Sequence, residues 1–400
     1  MSDPDPFGRP RRRRHAAALT LVFAGVLATG AATGALPGTS GRSEQNGKSR
    51  TTEAGSAATG YQEDVSDAAA RAVADGKSPA EAARREVSRS GDRWGAVYSE
   101  GQYAEFQQAL DGSYTGVGLW VRHDAHRHVE VARVQPDGPA DRAGIRKGDR
   151  LTAVDGRKVD GLPVTEVVAL LRGATSGAAA PTPGSTVVLD GRRGDHSWHH
   201  RLHRARLTTD SVTVRRLGRH HDGGLLVRVS SFTKGTGAQV REAVHHAPAG
   251  AGILLDLRGN SGGLVAEAAE AASAFLDGGL VATYDIEDDQ RALHARPGGD
   301  THRPVVVLVD GGTMSAAELL TGALQDRGRA VVVGTTTFGK GTVQMPSRLP
   351  DGSVAELTVG LYRTPSGRTI DGRGITPDLE ARSDARKQAE KVLSGLKPPS

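Results

Sequence analysis

Between Leu207 and residue 380, four runs of aliphatic and β-branched residues, LLVRVSSF, GILLDLR, VVVLVD and RAVVVGTTT, alternate with stretches of helical spacing. A strand this apolar has no face to give to water, so it needs cover on both sides, and intervening helices supply it. The alternation predicts βαβ units and a largely parallel sheet. Its helices are expected near residues 237–246, 264–276 and 315–327, with AELTVGLYRT as a late strand. The fold class is therefore expected to be α/β.

Composition narrows the chemistry. The 400 residues suffice for two or three domains, and 53 glycines with 4% aromatics suit a loop-rich protein packed with small side chains. With no cysteine, disulfides, thiolate metal sites, cysteine nucleophiles and cysteine-linked lipid anchors are excluded. Five arginines against two aspartates in residues 1–15 account for +3 of the net charge of +5. The basicity thus belongs mainly to the N-terminus, and no nucleic-acid partner is expected.

That N-terminus reads as an address. A run of arginines precedes an apolar, alanine-rich stretch from about Ala16 to Ala32 and then small residues, the pattern of an export signal. Residues 1–36 are expected to be a signal peptide or a signal anchor. The arginines would stay cytoplasmic and the remainder would face outward. An extracytoplasmic protein, secreted or held at the cell membrane by this segment, follows. Residues 37–60 read as a flexible linker. Residues 61–113 read as a helical segment, with stripes at Val65, Ala69, Val73 and at Ala82, Ala83, Val87, and with Trp94, Tyr98, Tyr103 and Phe106 as docking aromatics. Residues 381–400 read as a charged C-terminal tail, helical or frayed.

Ser315 and Lys340 stand in two punctuated segments, GGTMSAAE and TFGKGTVQ. Taken singly, each has an ordinary explanation. S-A-A-E, with Glu318 three residues after Ser315, is a capping-box pattern, and a lysine between glycines is usually a solvated loop residue. Taken together, they offer a serine nucleophile and a lysine base, an alternative to Ser-His-Asp in acyl transfer.

Residues 207–380 carry DLRGNSGG, GGTMSAAE, TFGKGTVQ and GRGITPD in that order, and so resemble the C-terminal processing peptidases, or tail-specific proteases. The family often reads A-S-A-S-E around its nucleophile. Here Met314 precedes Ser315, and Ala317 stands two residues after it. Residues 114–206 resemble a PDZ domain, through YTGVGLWV and PDGPADRAGIRKGDRLTAVDGRKVDGL. The loop at 173–185 looks longer than such domains usually have. The resemblance implies a crotonase/ClpP-like protease core, joined by the N-terminal helices, with an inserted PDZ domain.

It also implies roles. Ser315 is the nucleophile, and Lys340 is the base that takes its proton. An ordinary lysine keeps that proton to a pKa of about 10.4, so Lys340 must be desolvated and free of a carboxylate partner in the active state. Gln344, four residues on and on the same face of a strand, is expected to orient the Lys340 amine. The oxyanion donors are expected to be the Ala316 N–H and a glycine of Gly262–Gly263, with Gly263 favoured. In the PDZ domain, the backbone at Gly116, Val117, Gly118 and Leu119 is expected to form a nest for a peptide's terminal carboxylate, the peptide adding as a strand.

The expected partners are protein or peptide substrates with free C-termini, with an activator or adaptor protein possible. No cofactor and no metal are expected, since the paired histidines lack ligand spacing on one helix face. Two other classes remain open: a PDZ capture module on an inactive scaffold, and a crotonase-like acyl-CoA enzyme. The second would require neither the PDZ segment nor the Ser/Lys pair.

Overall fold

The structure, a computed structural model, describes residues 50–173, 182–218, 224–286 and 289–396, with only the backbone described for 50–60, 286 and 289. Residues 1–36, read as an export signal or anchor, lie outside the described residues. Among the described residues no helix is long and apolar enough to cross a membrane.

The four apolar runs form the centre of a six-stranded sheet. In spatial order it holds Val212–Arg216, Leu225–Val229, Ile253–Asp256, Val305–Val309, Val331–Gly334 and Leu379–Glu380. All neighbours are parallel except the antiparallel edge strand Val212–Arg216. Every residue of Val305–Val309 is buried, and alternate side chains serve two cores, as the period of two requires. Val305, Val307 and Val309 join a cluster with the helices Thr236–His245, Val265–Ala272 and Ala316–Asp326. Val306 and Leu308 face Ala385, Ala389 and Leu393 of the helix Ala385–Gly395. Of the two readings of the charged tail, the helical one holds, and its apolar stripe docks on the sheet. Gly252 permits that docking, since a Cβ there would lie 2.8 Å from Leu393.

A second, antiparallel sheet runs Ala96–Tyr98, Val354–Arg363, Leu280–Ile286 and Asp289–His294, with Thr342–Arg348 also paired to Val354–Arg363. Through Ala96–Tyr98 the N-terminal segment becomes part of this sheet. The helices Arg50–Ala74 and Pro79–Ser90 pack on it through Val65, Ala69, Ala83 and Val87 against Leu349, Ala355 and Leu357. Two sequence readings need adjustment here. The first helix starts at Arg50, inside the segment read as linker, and Val73 is 51% exposed rather than part of the buried stripe.

Between these parts the chain makes an excursion. Ser113–Gly116 pairs antiparallel with Ala205–Thr208, which brings the two ends of the excursion together. The intervening chain forms a sheet in the order Leu119–His123, Val129–Val134, Arg150–Val154, Thr186–Arg193 and His196–His203, with a short strand Arg157–Lys158 beside Arg150–Val154. The helix Val164–Arg172 buries Val167 and Leu171 against its core. Leu119–His123 is an edge strand, paired among the described residues only to Val129–Val134. Residues 174–181, within the loop read as unusually long, lie outside the described residues.

Candidate active site

Ser315 lies between the strand Val305–Val309 and the helix Ala316–Asp326, with φ 52° and ψ −118°. A non-glycine residue there is strained by about 1–3 kcal/mol and needs surroundings that impose it. Two loops do so. Asn260 is fully buried; its carbonyl accepts from Met314 N–H (2.8 Å), its side-chain nitrogen donates to the Val229 carbonyl (3.1 Å), and its side-chain oxygen accepts from Gly262 N–H (2.8 Å). Asp310 accepts from Gly259 and Gly312 N–H, both at 2.9 Å, and Thr313 donates to the Leu257 carbonyl (3.0 Å). In DLRGNSGG the first residues serve structure: Asp256 holds Arg258 through two bonds of 2.8 Å.

Gly262 and Gly263 come close to the nucleophile loop and to the sheet. A Cβ on Gly262 would lie 2.9 Å from Ser315 Cβ and 3.2 Å from Ala316 N, and one on Gly263 would lie 2.3 Å from the Phe232 carbonyl oxygen. The Gly262 N–H is used by Asn260. The N–H groups of Gly263 and Ala316 donate to no acceptor among the described residues. Donors left open beside a nucleophile, at a helix N-terminus, suit a developing oxyanion.

The lysine loop is fastened to the serine loop by Glu318. This carboxylate is fully buried. One oxygen accepts from Ser315 N–H and Lys340 N–H, both at 2.9 Å. The other accepts from Gly339 N–H (2.7 Å) and the Thr337 hydroxyl. Read from the sequence alone, Glu318 is a helix-cap partner. In the fold it satisfies four donors from two segments. GRGITPD braces the same loop from outside: Gly372 N–H donates to the Gly339 carbonyl (2.9 Å), and Ile375 N–H to Thr337 Oγ1 (2.6 Å).

Lys340 is half-buried, and its Nζ forms no hydrogen bond or ion pair among the described residues. Burial holds its pKa below the ordinary lysine value, while the charges of Glu356 and Asp92 pull the other way. Glu356, in Val354–Arg363, is itself raised by burial and lowered by Lys340. The Lys340 amine lies 5.0 Å from the centre of the Trp94 ring. Gln344 does not bond to it. Its amide nitrogen donates to Thr342 Oγ1 (2.6 Å) and Thr358 Oγ1 (3.4 Å). The strand reading misses this because Lys340 precedes Thr342–Arg348, and a register shift between Val343 and Gln344 breaks the alternation.

In the excursion, Val117 and Gly118 are buried, and their N–H groups find no acceptor among the described residues. Their carbonyls are taken, by Ala140 N–H (2.9 Å) and Gln135 N–H (2.8 Å). Gly118 has φ 81°, which glycine adopts freely. Leu119 opens the edge strand that follows, and Gly116 ends the strand before it. The helix Val164–Arg172 packs against both. Arg172, at its end, is a half-buried guanidinium with no ion pair among the described residues, 5.5 Å from the Tyr114 ring centre. In the sequence Arg172 carries no signal, because a single arginine at a helix end is the usual complement to the helix dipole.

Both parts of the chain are similar to known proteins. Residues 225–381 match the model for peptidase family S41, and residues 130–179 match that for a PDZ domain. Carboxyl-terminal-processing peptidase 3, chloroplastic, of Arabidopsis thaliana is 33% identical over 74% of this chain and 58% of its own length. A carboxy-terminal-processing protease of Bartonella bacilliformis is 34% identical over 69% of this chain and 63% of its own. The chain therefore spans about six-tenths of the length of these curated relatives. A solved structure from Bacteroides fragilis, assigned as an S41 protease, shares the fold with a TM-score of 0.51 at 18% identity, covering 76% of this chain and 87% of that one.

Proposed function

We propose that this member of the PDZ-containing S41 serine peptidases is an endopeptidase that selects protein substrates by their C-termini and cleaves them through an acyl-enzyme on Ser315. The observation that carries this is the Glu318 carboxylate, which binds the Ser315 and Lys340 backbones into one unit. In the reaction, neutral Lys340 takes the Ser315 hydroxyl proton as Oγ bonds to the scissile carbonyl carbon. The oxyanion is received by the N–H groups of Ala316 and Gly263. Lys340 then gives its proton to the leaving amine as the C–N bond breaks. Water, deprotonated by Lys340, adds to the ester carbonyl, and Lys340 returns that proton to Ser315 Oγ as the C–O bond to serine breaks. Gln344 would assist only after a rearrangement that brings its amide to Lys340.

Substrate choice is assigned to the excursion. A terminal carboxylate fits the open N–H groups of Val117 and Gly118, with the adjoining Gly116 and Leu119 carrying the chain past it. The preceding residues add as a strand to Leu119–His123, and the last side chain meets an apolar wall that includes Leu119, Val168 and Leu171. Arg172 supplies a cation beside the strand leading into this loop. Arg172→Ala is expected to weaken binding of a peptide with a free carboxylate about tenfold to a hundredfold, and to leave the weak binding of its amidated form unchanged. Isothermal titration of both peptides checks this. Residues 1–36 would send the protein out of the cytoplasm or hold it at the membrane. An activator or adaptor would act by bringing Lys340 to Ser315.

The test of the function uses the full chain and its Ser315→Ala variant, each with an unfolded protein ending in an apolar or a charged tail. Tail-dependent cleavage by the wild type alone is the expected result. Tail-dependent binding with no cleavage by either protein would favour the capture-module reading, and cleavage by both would remove Ser315 from the chemistry.

A further inference from the structure

Lys340 is met by the N-terminal segment, at a contact that none of the roles above uses. Its Nζ lies 5.0 Å from the Trp94 ring centre, inside the range of about 6 Å over which an indole face attracts a cation. The ring is held from several sides. Phe338 packs against it with ring centres 5.6 Å apart. The Arg93 guanidinium lies 5.2 Å from its centre and is bonded to Asp371 at 3.2 Å. Trp94 N–H donates to Asp92 Oδ1 (3.0 Å), and Asp92 is tied to Val354–Arg363 by Thr358 N–H (2.9 Å) and the Thr358 hydroxyl (2.8 Å). Meanwhile the indole N–H of Trp94 is buried and finds no acceptor among the described residues. An unpaired buried donor is costly, so the polar edge does not explain the ring's place. The face turned to Lys340 does.

We propose that Trp94 is a positioning residue for Lys340: its ring holds the amine in a protonated, retracted state and sets the pH at which it becomes free to act on Ser315. The proposal rests on Ser315 and Lys340 being the dyad. The attraction exists only while the amine is charged, so it opposes the burial that favours the neutral base. Other charges face the same group. Glu356 and Asp92 favour the ammonium, Glu318 binds the Lys340 backbone, and Arg93, offset by Asp371, shares the indole. Trp94 adds to the carboxylates' side without itself titrating.

The sign of the effect is fixed. Trp94→Leu keeps the site apolar and removes the ring face, so the Lys340 pKa falls and the neutral base is present at lower pH. The readout is trace acetylation of the full chain by acetic anhydride across pH, with Lys340 followed by peptide mass spectrometry. It needs no catalytic activity. The midpoint for Lys340 is expected to fall by about 0.5–1.5 pH units in Trp94→Leu, and by less in Trp94→Phe, which keeps a weaker ring. Midpoints unmoved in both variants would overturn the proposal. In the wild-type and Trp94→Leu enzymes, the acid limb of kcat/KM is expected to move with the labelling. A uniform loss of kcat/KM at every pH, with labelling unmoved, would assign Trp94 a structural role only. If the labelling moves while the wild type cleaves nothing, the positioning role stands and the peptidase reading fails.

Discussion

Lys340→Met is expected to lower kcat/KM by about 10³-fold or more while leaving PDZ-directed peptide binding intact. General-base removal ordinarily costs about 10²–10⁴-fold, and in the proposed reaction one amine serves as base in both halves, so the upper part of that range is expected. Methionine keeps most of the length and the apolar character of the lysine stem beside Trp94, which limits the structural effect. Lys340→Arg is expected to fail equally, because a guanidinium stays protonated. The wild-type rate should rise with pH as Lys340 loses its proton. Burial places that rise below the ordinary lysine range, while Glu356 and Asp92 raise it. Initial rates across pH for the three proteins check this. A rise that persists in Lys340→Met at wild-type magnitude would assign the base elsewhere.

Glu318→Gln is expected to be nearly as damaging, with loss of stability as well. The Glu318 carboxylate is fully buried and accepts four bonds through its two oxygens. An amide replaces one acceptor oxygen with a donor, which then confronts either Ser315 and Lys340 N–H or Thr337 and Gly339. Each unpaired buried donor costs about 1–3 kcal/mol, so a loss of about 3 kcal/mol and a Tm lower by about 6–12 °C should follow. The two loops would no longer be held in register, and misplacement of reacting groups by an ångström costs about 10²-fold in rate. Calorimetry and kcat/KM measured on the same sample test both parts. Normal stability with normal activity would mean that this bridge does not organise the dyad.

These two residues also mark what the sequence made legible. The strands of the parallel sheet were readable because burial on both faces leaves long aliphatic runs such as VVVLVD. The second sheet was not, because Leu280–Ile286 and Asp289–His294 pair as a polar hairpin whose TYDI and DQRALH carry no clean alternation. The tail's charges leave helix and frayed chain both open, and its docking follows from Ala385, Ala389 and Leu393, a stripe of small and apolar residues at helical spacing. Ser315 and Lys340 stood out through their motifs. Glu318 did not, because S-x-x-E is complete as a local cap and its other partners lie 19 to 22 residues away. Trp94 was visible only as one of several aromatics, since its relation to Lys340 exists only after Ala96–Tyr98 joins the strand Val354–Arg363. Gln344 was placed by strand periodicity, and a single register shift was enough to turn its amide toward Thr342 and Thr358.

Ser315 is expected to become acylated during peptide cleavage, and acid-quench mass spectrometry detects that adduct. The full-length protein would be mixed with excess substrate carrying an apolar C-terminus and stopped with acid within the first turnover. The chain would then be digested and searched for a substrate fragment in ester linkage. An adduct on the peptide containing Ser315, absent from Ser315→Ala and lost on treatment with hydroxylamine, is the predicted result. Continued cleavage by Ser315→Ala, or an adduct on another residue, would contradict it.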